Sequence, residues 1–404
     1  MKIVVLKFGG TSVGSIERIK KVTKIIISYL KKNYKVIVVS SAMSGETNKL
    51  AKLTKQISKN FASDEYDAIL ATGEQIACAL IAGTLCDIGY KSRSFLGWQI
   101  PILTSGSYSN SRIISIRKKN IINYLRQGGV PIIAGFQGIN SLSRITTIGR
   151  GGSDASAIML AKFFNAEKCI IYTDVDGVYT TDPNLVPKAK KIEKISYEEM
   201  LEMASLGAKV MQPHSIQDAR LNRIDVEVKS SFKNISGSLI TKKKNISTKN
   251  IIRGVSFTKN DAKITLVGVK DKPGVAASIF EPLFKNSINV DMVVQNISSN
   301  KNQTDLTFTV KNEDLYKTEK LIKKNKKIKL NKINIDDRVS KVSIVGVGMI
   351  TTPGVTFRMF NALAKKNINI LVISTSEIKI SVLINRKDLK KAVDVLHKEF
   401  KLDY

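Results

Sequence analysis

Several short segments place glycines, hydroxyls, cations and carboxylates just after apolar runs, in patterns suited to handling anions. In KFGGTS, Lys7 to Ser12, two adjacent glycines follow the first such run. Glycine lets the backbone approach a ligand closely, and successive exposed amides can cradle phosphate oxygens. The stretch that follows opens a helix, whose N-terminus favours negative charge. Lys7 supplies a fixed cation where charge moves between a donor and an acceptor. In TTIGRGGSDASA, Thr146 to Ala157, a second glycine-rich turn leads into a helix and carries Arg150 and Asp154. Arginine can grip a carboxylate with two parallel bonds. The plainer reading of Asp154, near the helix start, is a helix cap.

YTDVDGVYTTDP, Tyr172 to Pro183, follows a strongly apolar run and offers Asp174, Asp176, Asp182 and Tyr179. It reads as a nucleotide-cradling loop, with carboxylates for ribose, ammonium partners or hydrated magnesium. The plainer alternative is an acidic surface turn closed by Asp-Pro. SSAMSGETNKL sets Ser41 and Thr47 after another apolar run, and ATGEQIACAL sets Glu74 at a helix start. There Glu74 either complements the helix dipole or receives an ammonium group. A Walker A loop is excluded, because Ser15 stands after Gly9 and Gly14 where lysine is required. His214 and His397 lack the serine and aspartate arrangement of a hydrolase triad, so structural roles are expected for both.

These segments need elements to hold them. Residues 1–232 alternate β-branched apolar runs (KIVVLKF, KVIVVSSA, VPIIAGF, KCIIYTDV) with helix-like stretches such as IERIKKVTKIIISYLKK and SDASAIMLAKFF. That alternation predicts an α/β domain, a largely parallel sheet covered by helices on both faces. Ligands of such sheets lie beyond the carboxyl ends of the strands, where the Gly, Ser, Thr and Asp clusters fall. Residues 233–250 are polar and lysine-rich and read as a linker. Beyond them the chain repeats itself: ITLVGV, PGVAASIF and INVDMVVQNIS return as VSIVGV, PGVTFRMF and INILVISTS at one constant offset. Each unit reads β-α-β-β-α-β, assigned to residues 251–340 and 341–404. The second unit has no room for its last strand, so the leading strand Ile251–Phe257 is predicted to complete it.

The chain has 404 residues, 43 % of them apolar, which allows at least one full hydrophobic core. No uninterrupted apolar stretch approaches about eighteen residues, and the apolar run at the N-terminus is too short for a signal peptide. Cys78, Cys86 and Cys169 show no metal-ligand spacing, so they are expected to be small buried hydrophobes in a reducing cytoplasm. The net charge of +31 suggests nucleic acid or an anionic membrane, yet the lysines are mostly scattered singly and no aromatics interleave their runs. A nucleic-acid partner and a membrane partner are therefore not expected. The abundance of Lys, Ile and Asn is what an AT-rich genome would give.

Together, KFGGTS, the SSAM…T segment, ATGEQ, TTIGRGGSDASA, TDVDGVYTTDP, GAKVMQPHS and STSEIKISVLI resemble, in order, the signatures of the aspartate kinases of the amino-acid-kinase superfamily. The PG-containing repeats resemble ACT domains, which bind amino-acid effectors. The resemblance covers essentially the whole chain. It departs at SSAMSGETN, where many relatives carry Gly directly after Met and a second Thr. It implies a three-layer αβα catalytic domain and two ferredoxin-like ACT domains. It also implies transfer of the γ-phosphoryl of MgATP to the β-carboxylate of L-aspartate, the first step of lysine, threonine and methionine biosynthesis. Phosphoryl transfer chiefly needs alignment and positive charge. By the resemblance Lys7, Asp154 and Lys209 are catalytic. Lys7, Phe8, Gly9, Gly10, Thr173, Asp174, Tyr179, Asp182, Lys209 and Val210 bind ATP, and Mg2+ arrives mainly on its phosphates. Ser41, Thr47, Glu74, Arg150, Gly151, Gly152 and Ser153 bind aspartate. Asp271, Gly274, Val275, Ala276, Asn289, Val290 and Asp291 bind an effector, lysine or threonine or both, in a homodimer or larger homo-oligomer built through the ACT units. Other kinases of the superfamily, acting on glutamate, acetylglutamate or UMP, and a catalytically dead sensor are the alternatives.

Overall fold

The structure is a computed structural model that describes residues 1–207, 210–242, 251–297, 303–325 and 328–403. It divides into two compact units, one comprising Met1–Val178, Lys191–Ser205 and Lys209–Ser247, the other Tyr179–Lys190, Leu206–Ala208 and Thr248–Tyr404.

An eight-stranded sheet organises the first unit, in the order Lys194–Ser196, Ser238–Thr241, Val226–Ser230, Lys168–Thr173, Ile3–Phe8, Lys35–Ser40, Val130–Ala134 and Ser92–Phe95. The apolar runs KIVVLKF, KVIVVSSA, VPIIAGF and KCIIYTDV are neighbours in it and pair in parallel. Only Val226–Val228 with Ser238–Ile240 is antiparallel. The central strand is buried from end to end, as a sheet covered on both faces requires. Helix Ile16–Leu30 shows how one cover forms. Ser15 caps it by accepting from the Arg18 amide at 3.3 Å, and Ile19, Val22, Thr23 and Ile26 make its buried stripe. That stripe packs with Val4, Leu6, Ala77, Ile81 and Leu85 in one core, each large aliphatic side chain contributing about 1.5–3 kcal/mol.

Helices Ser63–Leu70 and Thr72–Asp87 form a run long and apolar enough, by length and composition, to cross a membrane, but half of its most apolar window is buried inside the protein. Two acidic residues, Asp67 and Glu74, are buried within it. A second, four-stranded sheet of Ile113–Ile116, Ile102–Thr104, Gln137–Ile139 and Ile145–Thr147 leads directly into the GRGGSD turn. Its strands are only three or four residues long, too short to leave a periodic signal.

Two expectations need correction. The segment read as a linker from residue 233 contributes the strand Ser238–Thr241 to the main sheet. Its serine and threonine are buried, with the Ser238 hydroxyl accepting from the Val178 amide at 2.8 Å, so polarity did not mark exposure there. Residues 243–250 lie outside the described residues. Cys78 and Cys169 are buried, and burial pushes their thiols up. Cys86 is exposed, with its thiol donating to the Ser92 carbonyl at 3.3 Å, because it sits in the last turn of its helix.

The second unit holds a six-stranded sheet in the order Val293–Ile297, Gln303–Lys311, Gly254–Lys270, Lys332–Val345, Lys379–Asn385 and Ile370–Thr375. Helices Val275–Lys285 and Asn312–Lys324 belong to the first repeat, and Val355–Ala364 and Leu389–Glu399 to the second. Two strands are shared. Gly254–Thr258 pairs antiparallel with Lys341–Val345, just as Ile264–Val267 pairs with Lys332–Ile335. Each repeat keeps its own apolar core, around Ile264, Ile279, Leu283 and Phe308 in one and Val342, Met359, Leu363 and Leu396 in the other.

Candidate active site

Parallel register brings the carboxyl ends of the strands to one edge. Phe8 lies opposite Ser40 on one side and Tyr172 on the other. The chain leaves that edge under tight control: the Gly9 amide donates to the Tyr172 carbonyl at 3.0 Å, the Ser41 amide to the Phe8 carbonyl at 3.1 Å, and the Gly135 amide to the Ser40 carbonyl at 3.0 Å. Gly9, Gly10, Ser41, Thr173 and Asp174 therefore start from one line. Gly10 must be glycine, because a Cβ there would sit 2.9 Å from the Ala42 carbonyl oxygen.

Lys7 points from the central strand to the first turn of helix Gly152–Phe163, where its Nζ lies 2.6 Å from Asp154 Oδ1. Both side chains are only 10 % exposed. The contact is a close ion pair between ammonium and carboxylate. A buried lysine and carboxylate neutralise each other here, and removing either would leave an uncompensated charge. The partly open ammonium sits at a helix N-terminus beside glycine amides, a place built for anions.

Glu74 stands in the first turn of helix Thr72–Asp87 and is 3 % exposed. One oxygen accepts from the Ala42 amide at 3.1 Å, and the other has no partner among the described residues. Burial pushes its carboxyl up to about 7, against the pull of the Ala42 amide. Gly73 permits the approach, because a Cβ there would lie 2.8 Å from the Ala42 Cβ. A buried carboxylate with an open oxygen can take a cation such as an ammonium group.

Arg150, by contrast, is exposed and makes no ion pair among the described residues. It lies in the turn between Thr147 and the helix, where the Ser215 hydroxyl donates to the Gly151 carbonyl at 3.2 Å. Ser153 is buried against Gly135. Thr47 is half-buried in the first turn of helix Glu46–Ile57. Thr173 donates from its hydroxyl to Asp174 at 3.1 Å, and Asp174 is exposed. Lys209 lies outside the described residues, and Val210 is in the turn before helix Pro213–Asn222. Tyr179 and Asp182 belong to the second unit. Asp182 accepts there from the amide and side chain of Asn184 at 2.9 and 3.0 Å. Neighbouring Thr180 bonds His397 Nε2 at 2.8 Å. His214 packs against the Arg150 turn, 3.3 Å from where a Gly151 Cβ would be.

In the second unit Asp271, Gly274, Ala276, Asn289 and Asp291 are exposed, while Val275 and Val290 pack on the same core. Asp291 forms an ion pair with buried Lys341 of the second repeat.

Sequence reasoning missed Asp67. It is fully buried and accepts from the Ser109 amide at 2.8 Å, the Ser109 hydroxyl at 3.0 Å, the Thr147 amide at 2.7 Å and the Thr147 hydroxyl at 2.9 Å. The signal was its place two helical turns before Glu74, on the buried stripe of an otherwise apolar run.

A parallel sheet with glycine-rich turns, a buried lysine and buried carboxylates at its carboxyl edge fits the class of small-molecule phosphotransferases. The family model of that class, the amino acid kinase family, matches residues 2–230, and an ACT domain model matches residues 264–325 and 342–400. The chain belongs to the amino acid kinase family. Full-length similarity extends to aspartate kinases. An aspartate kinase of Pseudomonas putida is 46% identical over 405 residues, covering 100% of this chain and 98% of that one. Aspartokinase 2 of Bacillus subtilis is 42% identical over 403 residues with the same coverage. Among solved structures, E. coli aspartokinase III in complex with aspartate and ADP matches with a TM-score of 0.80 at 24% identity, covering 98% of this chain and 99% of that one, a likeness of fold.

Proposed function

We infer that this chain is an aspartate kinase: it transfers the γ-phosphoryl group of ATP to the β-carboxylate of L-aspartate, giving 4-phospho-L-aspartate and ADP. The observation that carries this reading is full-length similarity to aspartate kinases, coupled to a buried Lys7–Asp154 pair at the sheet edge and an unpaired buried Glu74 oxygen.

The attacking carboxylate is ionised at neutral pH and needs no general base. What the reaction needs is relief of repulsion between two anions. In this reading Lys7 stabilises the phosphoryl group in flight, Lys209 assists it, and Asp154 holds the Lys7 ammonium in place. Glu74 receives the ammonium of aspartate and Arg150 a carboxylate, with Ser41, Thr47, Gly151, Gly152 and Ser153 shaping the pocket. Phe8, Gly9, Gly10, Thr173, Asp174 and Val210 serve ATP. Magnesium comes bound to the phosphates, whose charge it neutralises. The exposed carboxylate of Asp174 at the strand end fits a contact to its hydration shell. The exposed segments Asp271–Ala276 and Asn289–Asp291 take an amino-acid effector, lysine or threonine. The sheet edges Val293–Ile297 and Ile370–Thr375 support a homodimer, since an open edge is a template for pairing.

Hydroxylamine trapping tests the reaction. The purified chain with MgATP should yield an acyl hydroxamate from L-aspartate, far more than from L-glutamate or N-acetylglutamate. Hydroxamate from another acid instead would replace aspartate as the substrate.

A further inference from the structure

We propose that Asp67 is a positioning residue for the amino-acid substrate, holding the turn that bears Arg150 at a set distance from Glu74. The inference rests on the reading that Glu74 receives the ammonium of that substrate and Arg150 a carboxylate.

Asp67 and Glu74 lie two turns apart on consecutive helices, Ser63–Leu70 and Thr72–Asp87. The carboxylate of Asp67 gathers the amides and hydroxyls of Ser109 and Thr147. Thr147 ends the strand that runs into Gly149 and Arg150. Ser109 sits at φ 61°, a left-handed conformation uncommon for residues other than glycine. Its turn lies against the Arg150 loop. A Cβ at Gly149 would be 3.1 Å from Asn110 Oδ1 and 3.3 Å from the Ser109 carbonyl. The Ser111 amide closes the arrangement by donating to the Thr147 carbonyl at 2.9 Å. From the other direction, Gln137 Nε2 donates to the Ala71 carbonyl at 2.9 Å, between Asp67 and Glu74.

One buried anion therefore ties two loops to the helical run that carries the ammonium receptor. An amide cannot replace it. Asparagine would turn an NH2 group toward N–H and O–H donors and leave some of them unpaired. The spacing between Arg150 and Glu74 would loosen, and with it the discrimination between a β- and a γ-carboxylate.

The test compares the full-length wild type with Asp67→Asn and Thr147→Val by steady-state kinetics with L-aspartate and L-glutamate. Asp67→Asn should raise KM for aspartate by about tenfold or more, keep KM for ATP within about twofold, and lower the preference for aspartate over glutamate. Thr147→Val removes one donor and should shift KM for aspartate in the same direction by about threefold. Adding it to Asp67→Asn should give less than the product of the two effects. If both variants keep the wild-type KM and selectivity and merely melt earlier, Asp67 is structural and the inference falls while the kinase reading stands. If the wild type itself shows no aspartate-dependent turnover, the reading falls and takes the inference with it.

Discussion

Lys7 Nζ and Asp154 Oδ1 meet at 2.6 Å, joining the central strand of the sheet to the first turn of helix Gly152–Phe163. The pair juxtaposes the two glycine-rich turns of the chain and separates two roles that mutagenesis can tell apart, charge balance in the fold and charge relief in the reaction.

Lys7→Ala should lower kcat by about 100-fold or more and leave KM for aspartate within about threefold, because the lost cation acts on the transferring group. It should also lower the thermal midpoint, since Asp154 is left buried and unpaired. Adding Asp154→Asn should recover stability without recovering turnover. Turnover close to wild type in Lys7→Ala, read by ADP release, would remove Lys7 from the mechanism.

Glu74 gives a pH signature with a definite sign. Its carboxyl is raised from 4.5 to about 7 in the folded chain, so the folded state holds a proton that the unfolded state has lost between those values. Stability contributed by this group is present below pH 4.5 and falls as pH rises toward 7, by on the order of 3 kcal/mol. Glu74→Gln should therefore stabilise the free protein more at pH 8 than at pH 5, measured by thermal melting. In the wild type, KM for aspartate should rise as pH falls below about 7, as the protonated carboxyl no longer attracts an ammonium group. A melting difference independent of pH would contradict the assignment.

Asp271 is exposed at the turn before helix Val275–Lys285, so its replacement should cost the fold little. Asp271→Ala should raise the half-inhibiting concentration of the effector by about tenfold, the loss of one charge-assisted contact. An unchanged inhibition curve would move the effector elsewhere.

Ile81 is fully buried between the helices and the sheet. Ile81→Ala should destabilise the first unit by about 2–5 kcal/mol, through lost burial and the cavity left behind. Chemical denaturation followed by a first-unit probe such as Trp98 measures this.

Much of the catalytic unit was legible because its signals are local. Continuous β-branched runs such as Ile3–Phe8 and Lys168–Thr173 mark buried parallel strands, and the glycine-rich turns fall where strand gives way to helix. Less legible were features defined by distant partners. Gly254–Lys270 is one strand of 17 residues, but its middle, TKNDAK, reads as a turn. Asp261 is buried there by pairing with Lys311 at 2.8 Å and with the Thr258 hydroxyl, at a point where the register shifts. Ser238–Thr241 gave no apolar alternation, and Asp67 is buried by bonds to Ser109 and Thr147, 42 and 80 residues away. In each case the polar group's partner comes from elsewhere in the chain, and no local pattern announces it.

In this reading aspartate is the phosphoryl acceptor and the ACT repeats take an amino-acid effector. The most direct measurement is MgATP turnover by the purified full-length protein, followed as ADP release, with and without L-aspartate and with lysine and threonine added singly and together. The account predicts ADP release that depends on aspartate and is suppressed by lysine, threonine or the pair. ATP binding without aspartate-dependent ADP release would contradict it.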